Sequence, residues 1–332
     1  MSKHAIGILG TGSYLPKELV GNEEVARQAG VTAEWIERKT HISTRRHAAP
    51  DEASSDLAVK AAERALSSAG LSVAEIDYLI LATSTPDFPQ PPTSYLVQHR
   101  LGAENAACLD VNVVCSGFVY ALELARGLVT LHPGARALVV AADVYSRIVD
   151  VTDRRTAVLF ADGAGAAVVG AVPEGYGFLD TELTSRGDAH ALIRIEAGGS
   201  RTPASHETVA QGGHFFRMNG RAVREFVAGN VPAALRRLLA RAGLRTEDVD
   251  HFVPHQANGV MIADLVESSG LTKAHTHRTL ERYGNVGAAS IPVTLDEANH
   301  DGYLKKGDLV LLAGFGGGMA LGTSLLRWGA AA

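Results

Sequence analysis

The sequence predicts an α/β protein in which one α/β/α layered unit is made twice, and two internal matches carry that prediction. The run Ala65-Leu66-Ser67-Ser68-Ala69-Gly70-Leu71 returns 173 positions later as Leu238-Leu239-Ala240-Arg241-Ala242-Gly243-Leu244. In both copies a helix stops at glycine and a buried strand follows, Ile76-Asp77-Tyr78-Leu79-Ile80 in one and Val249-Asp250-His251-Phe252-Val253 in the other. The second match sets Ala137-Leu138-Val139-Val140-Ala141-Ala142 against Leu309-Val310-Leu311-Leu312-Ala313-Gly314, 172 positions on. With 46% hydrophobic and 20% charged residues over 332 positions, the chain is globular and has material for a sizeable core.

In chain order, residues 1–15 hold one lysine, a short glycine-broken apolar run and no small-residue cleavage site, so no secretory signal is expected. Residues 55–69 read as a helix with Leu57, Ala61, Ala62, Ala65, Leu66 and Ala69 on one stripe. Only Cys108 and Cys115 occur, which excludes a disulfide framework and points to a reducing, cytoplasmic compartment. Cys108 is assigned to packing. Cys115 opens a helix, whose partial positive charge favours thiolate over thiol. At the repeat offset Cys115-Ser116-Gly117-Phe118 faces Gly287-Ala288-Ala289-Ser290, with Asn285 just before that second helix start. His255 follows the repeated strand that ends at Val253. The halves are taken as 1–172 and 173–332, and their seam gathers a candidate nucleophile, a base or donor, and a neutral amide. Residues 309–326 carry no charge and reach the lower length limit of a membrane helix. Gly314, Gly316, Gly317, Gly318 and Gly322 favour two buried strands joined by a turn.

A net charge of −5 without long runs of one sign argues against a nucleic-acid binder. Gly10-Thr11-Gly12 lacks the third glycine of a dinucleotide fingerprint, no GxxxxGK[ST] occurs, and the thirteen histidines show no metal-ligand spacing. Phe315-Gly316-Gly317-Gly318 joins two strands and either makes a turn or offers amides for an oxyanion hole. Taken singly, Cys115 reads as a small hydrophobe and Asn285 as a turn or cap residue; their convergence with His255 at one seam raises the chemical reading.

With these pieces placed, the chain resembles the β-ketoacyl-acyl-carrier-protein synthase III family of thiolase-fold condensing enzymes over essentially its whole length. The resemblance rests on Gly10-Thr11-Gly12-Ser13-Tyr14-Leu15-Pro16, Trp35-Ile36, residues 110–117 around the cysteine, Asp162-Gly163-Ala164-Gly165, His255-Gln256-Ala257-Asn258, Gly284-Asn285 and Phe315-Gly316-Gly317-Gly318. It implies a five-layered α/β/α/β/α thiolase-like fold and a homodimer. It also implies acylation of Cys115 by an acyl-CoA, with the backbone N–H groups of Cys115 and Gly317 as oxyanion hole. A malonyl thioester, from malonyl-CoA or malonyl carrier protein, would then be decarboxylated against His255 and Asn285. Phe315 would gate the pocket, and Trp35, Lys39, Arg154 and Asn258 would hold CoA, a substrate here; no cofactor, metal or membrane is implied.

The departures from the family pattern concern the anionic partner. Lys39-Thr40-His41 stands where members commonly have Arg-Thr-Gly, and after Asn258 come Gly259, Val260, Asp264 and Glu267 in place of a basic surface. An acidic carrier protein would dock less well there, which shifts the expected extender towards malonyl-CoA or a dedicated pathway carrier with different charges. The path of residues 88–93 is expected to set acyl-pocket depth. The competing readings are an acyltransferase that delivers the group on Cys115 to an alcohol or amine, a papain-like peptidase with the same Cys, His, Asn order, and a silent partner subunit.

Overall fold

Strands that are apolar on both sides need helices over both faces. The computed structural model describes residues 5–329, so the first residues weighed as a possible signal lie outside the described residues. One sheet contains β1 (Ala5–Tyr14), β2 (Tyr78–Ala82), β3 (Ala107–Val111), β4 (Ala137–Val144) and β5 (Asp162–Val172), in the order β1-β5-β4-β2-β3. The other contains β6 (Gly177–Ser185), β7 (His251–Pro254), β8 (His275–Thr276), β9 (Leu309–Gly316) and β10 (Ala320–Arg327), in the order β6-β10-β9-β7-β8. Pairing sense repeats as well. β2 is parallel to β3 and β4 as β7 is to β8 and β9, and the other pairs are antiparallel in both sheets. The duplication read from two short matches therefore extends to the whole sheet topology.

Six helices matter to the site: α1 (Ala33–Thr40), α2 (Ser54–Ala69), α3 (Gly117–Leu131), α4 (Gly220–Arg241), α5 (Gly259–Ser269) and α6 (Ser290–His300). Alternate residues of each central strand serve different layers. Leu138, Val140 and Ala142 of β4 meet the α2 stripe Leu57, Ala61, Ala62, Ala65 and Leu66. Val139 and Ala141 face inward with Phe118, Leu122 and Ala125 of α3 and Ile291 and Leu295 of α6. Val310 and Leu312 of β9 close that layer from the other side, while Leu309, Leu311 and Ala313 meet Val231, Leu235 and Leu238 of α4. The layers thus run α2, first sheet, α3 with α6, second sheet, α4.

Close helix approach explains the glycine pairs set aside as nucleotide motifs. A Cβ on Gly12 of β1 would lie 2.3 Å from the Ala65 nitrogen of α2, and one on Gly165 of β5 2.8 Å from the Val293 nitrogen of α6. Residues 309–326 form the antiparallel pair β9–β10, paired from Leu309↔Arg327 to Gly316↔Ala320. The helical stretch Val114–Leu131 is long and apolar enough to cross a membrane, but half of it is buried in the protein, with Phe118, Leu122, Ala125 and Val129 in the central layer.

The sequence alignment of the two helix starts needs a shift of one residue. Short 3₁₀ turns, Val114–Ser116 and Gly287–Ala289, lead into α3 and α6, so Cys115 corresponds to Ala288 and not to Gly287. The first residue of each turn has positive φ, +46° at Val114 and +59° at Gly287. Glycine tolerates this backbone and a β-branched residue does not, so the copy that carries the cysteine holds roughly 1–3 kcal/mol of local strain.

Candidate active site

The ends of the duplicated elements meet around a cavity of about 720 Å³. Cys115, His255, Asn285, Phe315 and Gly316 form its buried end. Phe160, Ile193, Phe216, Met218 and Met319 make apolar walls. Trp35, Arg38, Lys39, Arg154 and Asn258 stand towards the opening. The lining includes six cationic side chains, with Arg155, Arg221 and Arg224 added to the three just named, and no carboxylate. The mouth is therefore an anion site by composition.

Cys115 sits in the strained turn, 5% exposed. Ser116 fixes the turn by donating from Oγ to the Ala320 carbonyl of β10 at 2.9 Å. The expectation of a resting thiolate is corrected by depth. Burial, then the nearby Asp143 carboxylate, push the thiol well above its ordinary value, and hydrogen bonds from Tyr145 and the backbone only partly oppose them. A helix start is present, but desolvation outweighs it.

His255 follows β7, and its backbone N–H donates to the Ala313 carbonyl at 2.8 Å. Its Nδ1 lies 2.7 Å from Ser290 Oγ, which also accepts the Gln256 N–H at 3.3 Å. Ser290 Oγ has no other acceptor among the described hydrogen bonds, so its hydrogen goes to Nδ1 and the imidazole proton stands on Nε2. Burial drops the imidazole to about 3, so it is neutral at physiological pH. Phe315 meets the ring edge-on, with centroids 5.3 Å apart.

Asn285 is held by its backbone to residues 159 and 161, with N–H···O distances of 2.9 Å in both directions. Its Oδ1 accepts the Gly287 N–H at 3.0 Å, which settles the amide orientation and leaves Nδ2 as a free donor. The buried end thus presents a thiol, a neutral N–H from His255 and an amide N–H₂.

Gly316 lies directly on Cys115, since a Cβ there would stand 2.8 Å from the Cys115 nitrogen. Gly317, the residue the resemblance singles out, is next along the turn and lies against Val114 and Ile193. Asn258 uses its polar atoms structurally. Oδ1 caps α5 through the Val260 and Met261 N–H groups, and Nδ2 donates to the Lys39 carbonyl at 3.0 Å. Two departures prove to be one feature, because a Cβ on Gly259 would lie 2.6 Å from the His41 ring; the bulk of His41 occupies the space that Gly259 leaves. Asp264 and Glu267 are exposed on α5, Asp264 paired with Arg224 of α4. Phe88 is 54% exposed and residues 88–93 do not line the cavity, so within this chain they do not set its depth. Cys108 is half-buried on β3 against the outer helix layer.

Sequence reasoning missed a polar cluster behind Cys115. Asp143 of β4 is fully buried and accepts from Ser84 N at 2.8 Å, Ser84 Oγ at 3.0 Å and Ala288 N at 2.8 Å. Tyr145 stacks on Phe160 at 4.6 Å and meets Phe216 edge-on at 5.5 Å. The available signal was an aspartate inside an otherwise apolar strand run.

The descriptions "3-Oxoacyl-[acyl-carrier-protein (ACP)] synthase III" and its "C terminal" part match residues 109–187 and 239–328. The "Acetoacetyl CoA synthase NphT7" of Streptomyces sp. (strain CL190) is 49% identical over 323 residues, 97% of this chain and 98% of that protein. The crystal structure of 3-oxoacyl-[acyl-carrier-protein] synthase III from Aquifex aeolicus VF5 superposes with a TM-score of 0.90 at 36% identity, over 98% of this chain and 100% of that one. The priming β-ketosynthase of the R1128 polyketide biosynthetic pathway superposes at 0.91 with 34% identity, over 99% and 97%. Sequence and fold agree along the whole described length, and the chain belongs to the 3-oxoacyl-[acyl-carrier-protein] synthase III family of thiolase-fold condensing enzymes.

Proposed function

We propose that this condensing enzyme loads acetyl, or a similarly short acyl group, from CoA onto Cys115 and joins it to malonyl-CoA with loss of CO₂. The carrying observation is the cavity itself: thiol, neutral imidazole N–H and amide N–H₂ converge at its buried end, and six cations line it with no carboxylate among the lining residues, Arg155 and Arg224 being paired with Asp153 and Asp264 outside it. A short starter is supported by Phe160 and Phe216, which wall the cavity that holds Cys115, and by Tyr145, which packs against both rings. CoA as the extender's carrier is supported by the acidic outer face of α5 and by the name of the 49% identical relative.

In this reading Cys115 sulfur attacks the thioester carbon, and the N–H groups of Cys115 and Gly317 receive the oxyanion. CoA leaves as the thiol. The malonyl thioester oxygen then accepts from His255 Nε2–H and Asn285 Nδ2–H, and the C–C bond to the carboxylate breaks as negative charge moves onto that oxygen. Donors are what an enolate needs, and a buried neutral imidazole can donate here without carrying a charge into the core. The enolate carbon attacks the acyl group, and Cys115 leaves as thiolate and takes up one proton from solvent, its own having left with CoA. Trp35 and Arg154 are proposed to hold the adenine and Lys39 a phosphate. Asn258 adds the α5 cap that shapes the opening. No cofactor or metal enters the scheme. A cytoplasmic homodimer completes it, for which β3 supplies an unpaired sheet edge and sedimentation velocity is the test.

The deciding experiment is intact-protein mass after incubation with a panel of acyl-CoAs, followed by a chase with malonyl-CoA or with malonyl carrier protein, and Cys115→Ala as control. Acetyl loading cleared by malonyl-CoA with release of CO₂ is expected. Clearance by the carrier protein alone would overturn the extender assignment, and loading without clearance by either donor would overturn condensation.

A further inference from the structure

The parallel ladder of β7 and β8 pairs His251 with His275 and Phe252 with Thr276, and the His277 N–H closes it on the Phe252 carbonyl at 2.9 Å. From there a side chain takes over from the backbone. Gln256, fully buried, donates from Nε2 to the Pro254 carbonyl at 2.8 Å and to the His277 carbonyl at 3.2 Å. Its Oε1 accepts the N–H groups of Thr279 at 3.0 Å and Leu280 at 3.3 Å. Two carbonyls on one side and two N–H groups on the other settle the amide orientation and match a carboxamide atom for atom.

Gln256 directly follows His255, and the segment it grips leads through the short helical turn Leu280–Tyr283 and Gly284 to Asn285. A ring of buried bonds ties both ends together. The Gln256 N–H meets Ser290 Oγ at 3.3 Å, the atom that also lies 2.7 Å from His255 Nδ1. Thr294 gives its hydrogen to the Ser290 carbonyl at 2.8 Å, so Thr279 Oγ donates to Thr294 Oγ at 2.7 Å. The ring thus runs from His255 through Ser290, Thr294, Thr279 and Gln256, and all five residues are buried.

We propose that Gln256 is a positioning residue that sets the spacing of His255 and Asn285. The inference rests on the proposed function, in which these two side chains donate to one thioester oxygen. An oxygen that takes two hydrogen bonds needs both donors within about 2.7–3.2 Å of a single point. His255 leaves the end of β7 and Asn285 comes from the loop before α6, and Gln256 is bonded to the backbone of the first and to the segment that carries the second. It does not line the cavity, so it acts through these neighbours and not on the substrate. Removing the carboxamide leaves two carbonyls and two N–H groups unpaired in the interior, and the segment must shift to satisfy them. Cys115 stands on the turn before α3, outside the ring, so acyl loading is independent of it.

The test uses Gln256→Met, which removes every one of these bonds, and Gln256→Glu, which keeps the acceptor and loses both donors. Acetyl loading from acetyl-CoA is read by intact mass, and decarboxylation by CO₂ release from malonyl-CoA on the acetyl-loaded enzyme. Loading within about threefold of normal is expected in both variants, with kcat for decarboxylation down at least 30-fold and KM for malonyl-CoA within about threefold, since a misplacement of about 1 Å can cost 10²-fold. Crystal structures of the variants read the spacing itself, and the separation of the His255 and Asn285 side chains is expected to change by at least about 0.5 Å. Equal losses in loading and decarboxylation, an unchanged separation, or unfolding of both variants would overturn the positioning role. Absence of CO₂ release by the unaltered enzyme would overturn the proposed function, and the two crystal structures would then decide the spacing by themselves.

Discussion

Asn285→Asp separates the two half-reactions, and the effect can be worked from the geometry. The side chain is 4% exposed and its Oδ1 is held by the Gly287 N–H, so an aspartate would keep that bond and present its second oxygen where Nδ2 now stands. At pH 8 this replaces a donor to the enolate by a like charge. Loss of one such donor costs roughly 10²–10³ in rate, about 3–4 kcal/mol, and the repulsion adds to it. Acyl loading does not use this group and should stay within about threefold. The sign with pH is distinctive. Burial should raise a carboxyl here to a pH above the ordinary carboxylate range, as it raises Asp143. Below that pH its free oxygen is protonated and donates again, so activity should recover by roughly tenfold or more between pH 8 and pH 5.5 relative to the unaltered enzyme. Release of CO₂ from malonyl-CoA by the acetyl-loaded enzyme measures the second half, and intact mass the first. Equal losses in loading and decarboxylation, or decarboxylation within threefold of normal at pH 8, would refute the assignment of Asn285 as an enolate donor.

Two further outcomes follow from charge and burial. His255 and His277 are both held near a pKa of about 3, below the unfolded value of 6.5, so the stability they contribute is present above 6.5 and is lost as pH falls from there towards 3. Unfolding free energy should drop between pH 7 and pH 5 by about 1–2 kcal/mol per histidine, and urea titrations of His277→Gln should show its share gone. On the outer face of α5, Asp264→Lys with Glu267→Lys should lower KM for malonyl carrier protein by roughly tenfold at low salt and leave malonyl-CoA kinetics unchanged. The broken Arg224–Asp264 pair is exposed, so melting temperature should hold within a degree or two.

The fold was legible because its repeat is written in stop signals and strand composition. Gly70 and Gly243 both end their helices with positive φ, +64° and +70°, and the apolar strands after them could be covered only by helices on both sides. The site was legible as residue types at a seam, which is why Cys115, His255 and Asn285 stand out beside more numerous histidines and asparagines. Their ionisation was not legible. A helix start can be read from Ser116-Gly117, but the depth that keeps the Cys115 thiol protonated depends on Asp143 and on the second half of the chain. Asp143, Ser84 and Tyr145 escaped because their partners lie 59 to 145 positions away and no local pattern marks them.

The duplicated turn shows where the two halves parted. In the second half Gly287 takes the positive φ without strain, and it has to be glycine, since a Cβ there would stand 2.3 Å from Asp143 Oδ2 and 2.4 Å from the Tyr145 ring. In the first half the same backbone is forced on Val114, and the following residue is Cys115. The relaxed copy therefore makes room for the acid and the phenol, and the strained copy carries the thiol. Each half is unremarkable as a helix start and acquires chemistry only through what the other brings to the seam. That is why a search of either half for a self-contained motif finds so little: Cys115 belongs to one half, His255 and Asn285 to the other, and Asp143 is bonded to both.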